Sequence, residues 1–245
     1  MNRLETILND PAERRHEFPV TGESIYMAHA GVAPITGRAA AAMRKYAAEG
    51  SVSNQESHWA LEQASHARAN AARLLGAEAD EIALLGPTSL GLSLIAHGVA
   101  WEAGDEVVYY ADDYPANVYP WRDLERRGVR PVAVRAEHPG VITPADVEHA
   151  LSSRTRLVAL ASCNFLSGYR IDIDGIGRML RERGVLFSLD AIQTLGAFPT
   201  PTRYVDFLAA DSHKWLLGPA GAGVVYVAKE RQEGFHPPLL GAANV

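Results

Sequence analysis

Phe187-Ser188-Leu189-Asp190-Ala191-Ile192-Gln193-Thr194-Leu195-Gly196, followed by Asp206-Phe207-Leu208-Ala209-Ala210-Asp211-Ser212-His213-Lys214-Trp215-Leu216-Leu217-Gly218-Pro219-Ala220-Gly221-Ala222-Gly223-Val224-Val225-Tyr226, decides how this chain folds. Each half is an apolar run of strand length that releases polar groups at its C-terminal end. The first delivers Asp190; the second delivers Asp211, His213 and Lys214 into a Gly-rich turn. Open α/β sheets do their chemistry outside the carboxyl ends of their strands. Working outward, residues 81–85, 106–110, 129–135 and 156–162 predict further strands, the last buried and almost continuously apolar. Helices are predicted over 36–49, 57–75, 88–101, 143–152 and 172–183, with Thr36 as an N-cap and Gly50, Gly76 and Gly184 as stops. Residues 1–15 read as a short amphipathic helix interrupted by Pro11. The alternation predicts an α/β fold with a mainly parallel sheet flanked by helices, closed by a Gly-rich hairpin over 218–226.

An Asp and a Lys at adjacent strand ends suit one cofactor. A pyridine nitrogen that must stay protonated needs a fixed carboxylate, and a carbonyl needs a lysine whose pKa is lowered enough to form a Schiff base. Those are the two groups pyridoxal phosphate asks of its host. The ordered stretch resembles fold-type I pyridoxal-phosphate enzymes, specifically the class V aminotransferase family. That family also holds cysteine desulfurases, kynureninases and isopenicillin N epimerase-like proteins, and its pattern reads Asp-Ala-x-Gln-x-x-Gly, then His-Lys-x-x-x-Gly-Pro-x-Gly-x-Gly. The resemblance implies that Lys214 forms the Schiff base, Asp190 pairs with the pyridinium nitrogen, Gln193 hydrogen-bonds the ring's phenolic oxygen, and His213 sits by the phosphate. Taken singly, these residues also fit ordinary roles: Asp190 as a helix cap before Ala191, Gln193 as a solvated amide, Lys214 as a surface amine. The ordered set carries the assignment.

Other segments extend the resemblance. Gly86-Pro87-Thr88-Ser89 turns from a strand into a helix start, a general seat for phosphate as well as an ordinary N-cap; by resemblance Thr88 and Ser89 would hold the cofactor phosphate. Residues 112–121 place Tyr114 where the family stacks an aromatic ring on the pyridine. Cysteine desulfurases usually carry His there, so Tyr114 leans toward an aminotransferase, epimerase or kynureninase-like lyase. Asn164 matches an Asn that contacts the phenolic oxygen. Asp211 stands where many desulfurases have a Ser phosphate ligand; a carboxylate there would be repelled, so it is expected to turn to a backbone or His partner, leaving Ser212 to supply the hydroxyl. The lone Cys163 reads as a packed strand-end thiol.

Composition bounds the remainder. The 245 residues carry 23 basic and 29 acidic side chains, a net charge of −6 with both signs dispersed, so no footprint for nucleic acid exists. There is no apolar run of membrane-spanning length and no secretory h-region in residues 1–18, which makes a cytoplasmic protein without membrane partners the expectation. One cysteine excludes an internal disulfide and a Cys-clustered zinc site, and no metal is expected. The resemblance implies an N-terminal arm over 1–20, a pyridoxal-phosphate-binding large domain over 21–245, and homodimers with the active site at the interface. Family members continue into a smaller C-terminal domain, so the chain is expected to lack it, with residues 235–245 leading toward it. The expected function is a pyridoxal-phosphate-dependent enzyme acting on a small-molecule amino-acid substrate, of aminotransferase, epimerase or lyase type. The alternatives are a cysteine desulfurase and a non-catalytic cofactor-binding or interaction module.

Overall fold

Runs of Val, Leu, Phe and Ala build a seven-stranded sheet in the computed structural model, which describes residues 3–240 apart from the side chain of His58. Met1, Asn2 and residues 241–245 of the expected C-terminal lead lie outside the described residues. In chain order the strands are β1 (Ile82–Leu84), β2 (Glu106–Tyr110), β3 (Arg130–Val134), β4 (Thr155–Ala161), β5 (Leu186–Asp190), β6 (Phe207–Asp211) and β7 (Gly223–Val227). They lie side by side as β1-β7-β6-β5-β4-β2-β3. The pairs from β3 across to β6 are parallel; β7 runs antiparallel to both β6 and β1. The expected mainly parallel sheet is thus present, with the Gly-rich hairpin as its single reversal.

The helices are α1 (Arg3–Asn9), α2 (Pro11–Glu17), α3 (Gly37–Val52), α4 (His58–Leu75), α5 (Thr88–Gly98), α6 (Tyr119–Asp123), α7 (Pro144–Ala150), α8 (Ile173–Glu182) and α9 (Lys229–Gln232). Side chains alternate across the sheet and feed two cores. On β5, Phe187 and Leu189 join Ile176 and Leu180 of α8 on one face, while Leu186 joins the face that holds Leu92, Ile95 and Trp121 from α5 and α6. Covering both faces is what lets β5 and β6 be buried along their whole length.

Local signals set most boundaries. Thr36 Oγ1 accepts from the Ala39 amide at 3.2 Å and Ser57 Oγ from Ala60 at 3.2 Å, and α4 stops at Gly76, whose φ of 65° suits the left-handed cap. Two expectations are corrected. Gly50 does not end its helix: α3 runs on to Val52, and Ser51 Oγ donates to the Ala48 carbonyl at 2.8 Å. The helix expected to reach residue 101 ends at Gly98, because Val99 turns extended to bridge Phe235, and Trp101 Nε1 returns to the Ala96 carbonyl at 2.7 Å. The N-terminal helices are tied to α3 by the buried Glu17 carboxylate, which takes Arg3 at 2.9 Å and Arg38 at 2.8 Å. Among the described residues no helix is long and apolar enough to cross a membrane.

α5 lies directly on the sheet. A Cβ added at Gly91 would stand 2.8 Å from Val225 Cγ2 and 2.9 Å from Ala209 Cβ. Ala is the better helix former by about 1 kcal/mol, but overpacking of this kind costs about 1–3 kcal/mol. Gly91→Ala is therefore expected to lower the urea denaturation midpoint; a raised midpoint would show that α5 can lift from the sheet.

Candidate active site

The parallel register brings the carboxyl ends of β4, β5 and β6 to one level, with Ala161 beside Asp190 and Asp190 beside Ala209. Past those ends lies a cleft of about 590 Å³ lined by Thr88, Ser89, Tyr114, Asp190, His213 and Lys214, together with residues 30–32, Pro87, Ala116, Phe165 and Ile192. Six expected site residues therefore meet in one place.

Asp190 ends β5 with 2% exposure. Its Oδ1 accepts from the Ile192 amide at 3.0 Å. No donor among the described residues takes the second oxygen, and the carboxyl borders the cleft. Burial pushes it from an ordinary 3.8 up to about 7, the Ile192 amide and Lys214 opposing that rise and Asp113 adding to it. Lys214 follows β6 in the loop to β7 and is 8% exposed, with its Nζ 5.7 Å from the centre of the Tyr114 ring. Burial draws its amine below the usual lysine range, although Asp190 pulls the other way. Its loop closes tightly, with Leu217 at a φ of 57°, a left-handed conformation that a Leu adopts at a cost of about 1 kcal/mol.

Tyr114 is carried by a buried network. Asp113 accepts from the Tyr114 amide at 2.8 Å and from Asn117 Nδ2 at 3.1 Å, and Trp121 Nε1 donates to Asn117 Oδ1 at 3.0 Å. The ring stays 49% exposed, set edge-on to Phe165 with centroids 5.4 Å apart. Opposite, α5 starts at Thr88 with no side-chain cap. Its first amides have no partner inside the helix and carry the positive end of its dipole.

Three expected residues sit outside the cleft wall. Ser212 Oγ donates to the Pro219 carbonyl at 2.7 Å and borders a neighbouring apolar cavity of about 620 Å³. Asn164 Oδ1 accepts from the Leu166 and Ser167 amides, both at 3.0 Å, and so caps its own turn. Gln193 is committed at both ends of its amide: Nε2 donates to the Ala30 carbonyl at 3.0 Å, and Oε1 accepts from Trp215 Nε1 at 3.1 Å. Asp211 turns from the cleft as expected, with His213 Nδ1 2.7 Å from its Oδ2. Phe165 is the side chain that sequence reasoning left unassigned, although its place just past β4 is the kind of position where site residues gather. Cys163 is half-buried, and burial pushes its thiol up, against the pull of Arg170.

The donor set fits pyridoxal phosphate: an amine with a lowered pKa, a buried carboxyl with one oxygen unclaimed, an aromatic wall, and an uncapped helix start bearing two hydroxyls. Comparison with known proteins agrees. The family model "Aminotransferase class-V" matches residues 25–245. A probable cysteine desulfurase of Methanothermobacter thermautotrophicus is 30% identical over 238 residues, covering 94% of this chain and 60% of the relative. An uncharacterized aminotransferase, YcbU, of Bacillus subtilis is 32% identical over 180 residues, covering 73% of this chain and 48% of that one. Among solved structures, the apo cysteine desulfurase of Thermococcus onnurineus superposes with a TM-score of 0.84 at 27% identity, covering 95% of this chain and 60% of that one. The chain thus spans about half to 60% of the length of these relatives.

The raised Asp190 carboxyl fixes a sign for stability. Between about pH 4 and about pH 7 the folded chain holds a proton there that the unfolded chain releases, so the group's contribution falls as pH rises through that window. Asp190→Asn is expected to stabilise the ligand-free protein at about pH 8 by on the order of 4 kcal/mol, a gain that shrinks as pH falls toward about 4. Denaturation midpoints across that range test it; an equal gain at every pH would show that the charge is not what costs stability.

Proposed function

The chain belongs to the class V aminotransferase family, and from that premise we propose that it is a pyridoxal-phosphate-dependent enzyme acting on an amino acid, of aminotransferase, epimerase or lyase type. The observation that carries this is the burial of Asp190 and Lys214 in one cleft, beside Tyr114 and the start of α5. When bound, the cofactor supplies a carbonyl for an amine to bond and a ring that takes up the electrons of a carbanion.

The chain's own residues divide the work. Lys214, its amine drawn below the usual lysine range by burial, is the group that would bond the cofactor's carbonyl and would move the proton at the substrate's Cα. Asp190 holds the ring nitrogen with its unclaimed oxygen. Thr88, Ser89 and the first amides of α5 hold the phosphate, with His213 on the same wall. Tyr114 covers one ring face. Gln193 supports the rim at Ala30, and Asn164 braces the turn that carries Phe165. On this reading residues 1–20 are an arm and 21–245 the cofactor-binding domain.

Cysteine desulfuration is the second reading, favoured by the names of two of the relatives above. Tyr114 in place of the expected His weighs against it. A homodimer is part of the proposal. α3 buries none of its residues, and Met43 and Tyr46 on it stand exposed, as do Ile25, Met27 and Val32. Val32 also lines the cleft, so a second copy on this face would extend the cleft's rim.

The purified protein incubated with pyridoxal phosphate is expected to develop a visible absorbance band, and borohydride reduction followed by peptide mapping to place the adduct on Lys214. Lys214→Ala should lose both. A band that survives in that variant, or an adduct elsewhere, would overturn the assignment. Sedimentation equilibrium is expected to give a dimer that Met43→Asp weakens; a monomeric wild type would remove the pairing.

A further inference from the structure

Asp211 is 2% exposed, yet it adjoins the cleft wall. Both its oxygens are claimed. Oδ1 accepts from the Ser212 amide at 2.8 Å; Oδ2 accepts from the Gly221 amide at 3.0 Å and lies 2.7 Å from His213 Nδ1. The Asp211 amide in turn donates to Thr88 Oγ1 at 2.9 Å, tying the carboxylate's backbone to the helix start that faces the cleft. Its charge therefore reaches the cleft through the imidazole of His213.

An ionised carboxylate only accepts, so Nδ1 of His213 carries a proton toward Asp211. Nε2, on the other side of the ring, is left for the cleft that His213 lines. A neutral ring in this tautomer would present a lone pair at Nε2, and a lone pair repels a phosphate oxygen. To donate there, Nε2 needs the ring's second proton. The other titratable groups bordering the cleft are Lys214 from the same loop, Asp190 from β5 and Tyr114 from the segment after β2, while α5 presents its positive end.

We infer that Asp211 is a positioning residue that makes His213 a proton-linked phosphate ligand. A phosphate monoester dianion entering beside Thr88 and Ser89 draws one proton from solvent onto His213 Nε2, and the imidazolium is held between the phosphate and Asp211. Asp211 thus stabilises the charged ring in place of the Ser hydroxyl that the resemblance puts at its position. This rests on the cofactor site proposed above and adds a dependence on pH that a hydroxyl ligand would not have.

The test uses deoxypyridoxine phosphate, which keeps the ring and phosphate and has no carbonyl for Lys214 to bond. Its phosphate is already a dianion above about pH 7, since the second pKa lies near about 6. From about pH 7 to about pH 9 the wild-type Kd is expected to rise by up to about tenfold per unit more steeply than that of the variants, the limit for one linked proton. Asp211→Asn keeps an acceptor for Nδ1–H without the charge, and Asp211→Ser supplies a hydroxyl; both should lose that extra slope. Asp190 and the ring nitrogen titrate alike in all three proteins, so they cancel in the difference. ¹⁵N NMR of histidine-labelled protein, with His213 assigned by His213→Gln, should show a charged ring in the wild-type complex at about pH 8 and a neutral one in Asp211→Asn. Equal slopes in wild type and Asp211→Asn, or a neutral His213 in the wild-type complex, would overturn the inference while leaving the cofactor site standing. Failure of the wild type to bind the analogue at all would overturn both.

Discussion

Two groups of opposite charge share one desolvated cleft, and in both of them burial outweighs mutual attraction. Asp190 is held toward its neutral form and so is Lys214. In water each would be charged at neutral pH, and an ammonium has no lone pair with which to bond a carbonyl, so the burial of Lys214 favours the form that can. Much of the molecule serves to impose that burial. Strands β4 to β6 are covered on both faces by helices, and their register brings Asp190 to the sheet's rim without exposing it.

The rim is assembled from segments far apart in sequence, each held by ordinary hydrogen bonds. Gln193 joins the 30–32 rim to Trp215, whose ring stacks on His29 with centroids 5.5 Å apart. The Asp113–Asn117–Trp121 network fixes the backbone that carries Tyr114. Asp113 is itself a buried carboxyl pushed up by desolvation, and it raises Asp190 further. Positioning and electrostatics are thus supplied by the same side chain.

The strand-end logic was legible because it rests on pattern. Apolar runs of strand length ending in Asp190 and in His213-Lys214 specify which residues reach the rim, whatever packs around them. Polar side chains just off the rim were not legible in that way. Ser212, Asn164 and Gln193 each have several acceptors or donors within reach, and the winner is decided by tertiary geometry that spacing does not encode. Gly50 misled for a related reason: a glycine stops a helix when the chain needs a left-handed turn there, and α3 continues for two more residues. Phe165 was missed because a lone aromatic in a turn carries no pattern of its own.

Among the described residues β1 has a single strand neighbour, and that neighbour is β7. The strand leading to Thr88 and Ser89 therefore gains its place in the sheet from residues 223–227, close to the end of the described chain. This is the longest-range pairing in the sheet, and loop closure makes such pairings slow to form. During synthesis the turn that carries Thr88 and Ser89 is among the earliest parts of the sheet to be made and among the last to be held in place. A chain interrupted before Gly223 would contain both hydroxyls and have no strand to hold them in register. A ligand that binds only when β1 is paired would then act on the order of assembly, drawing the population toward chains in which β7 has docked.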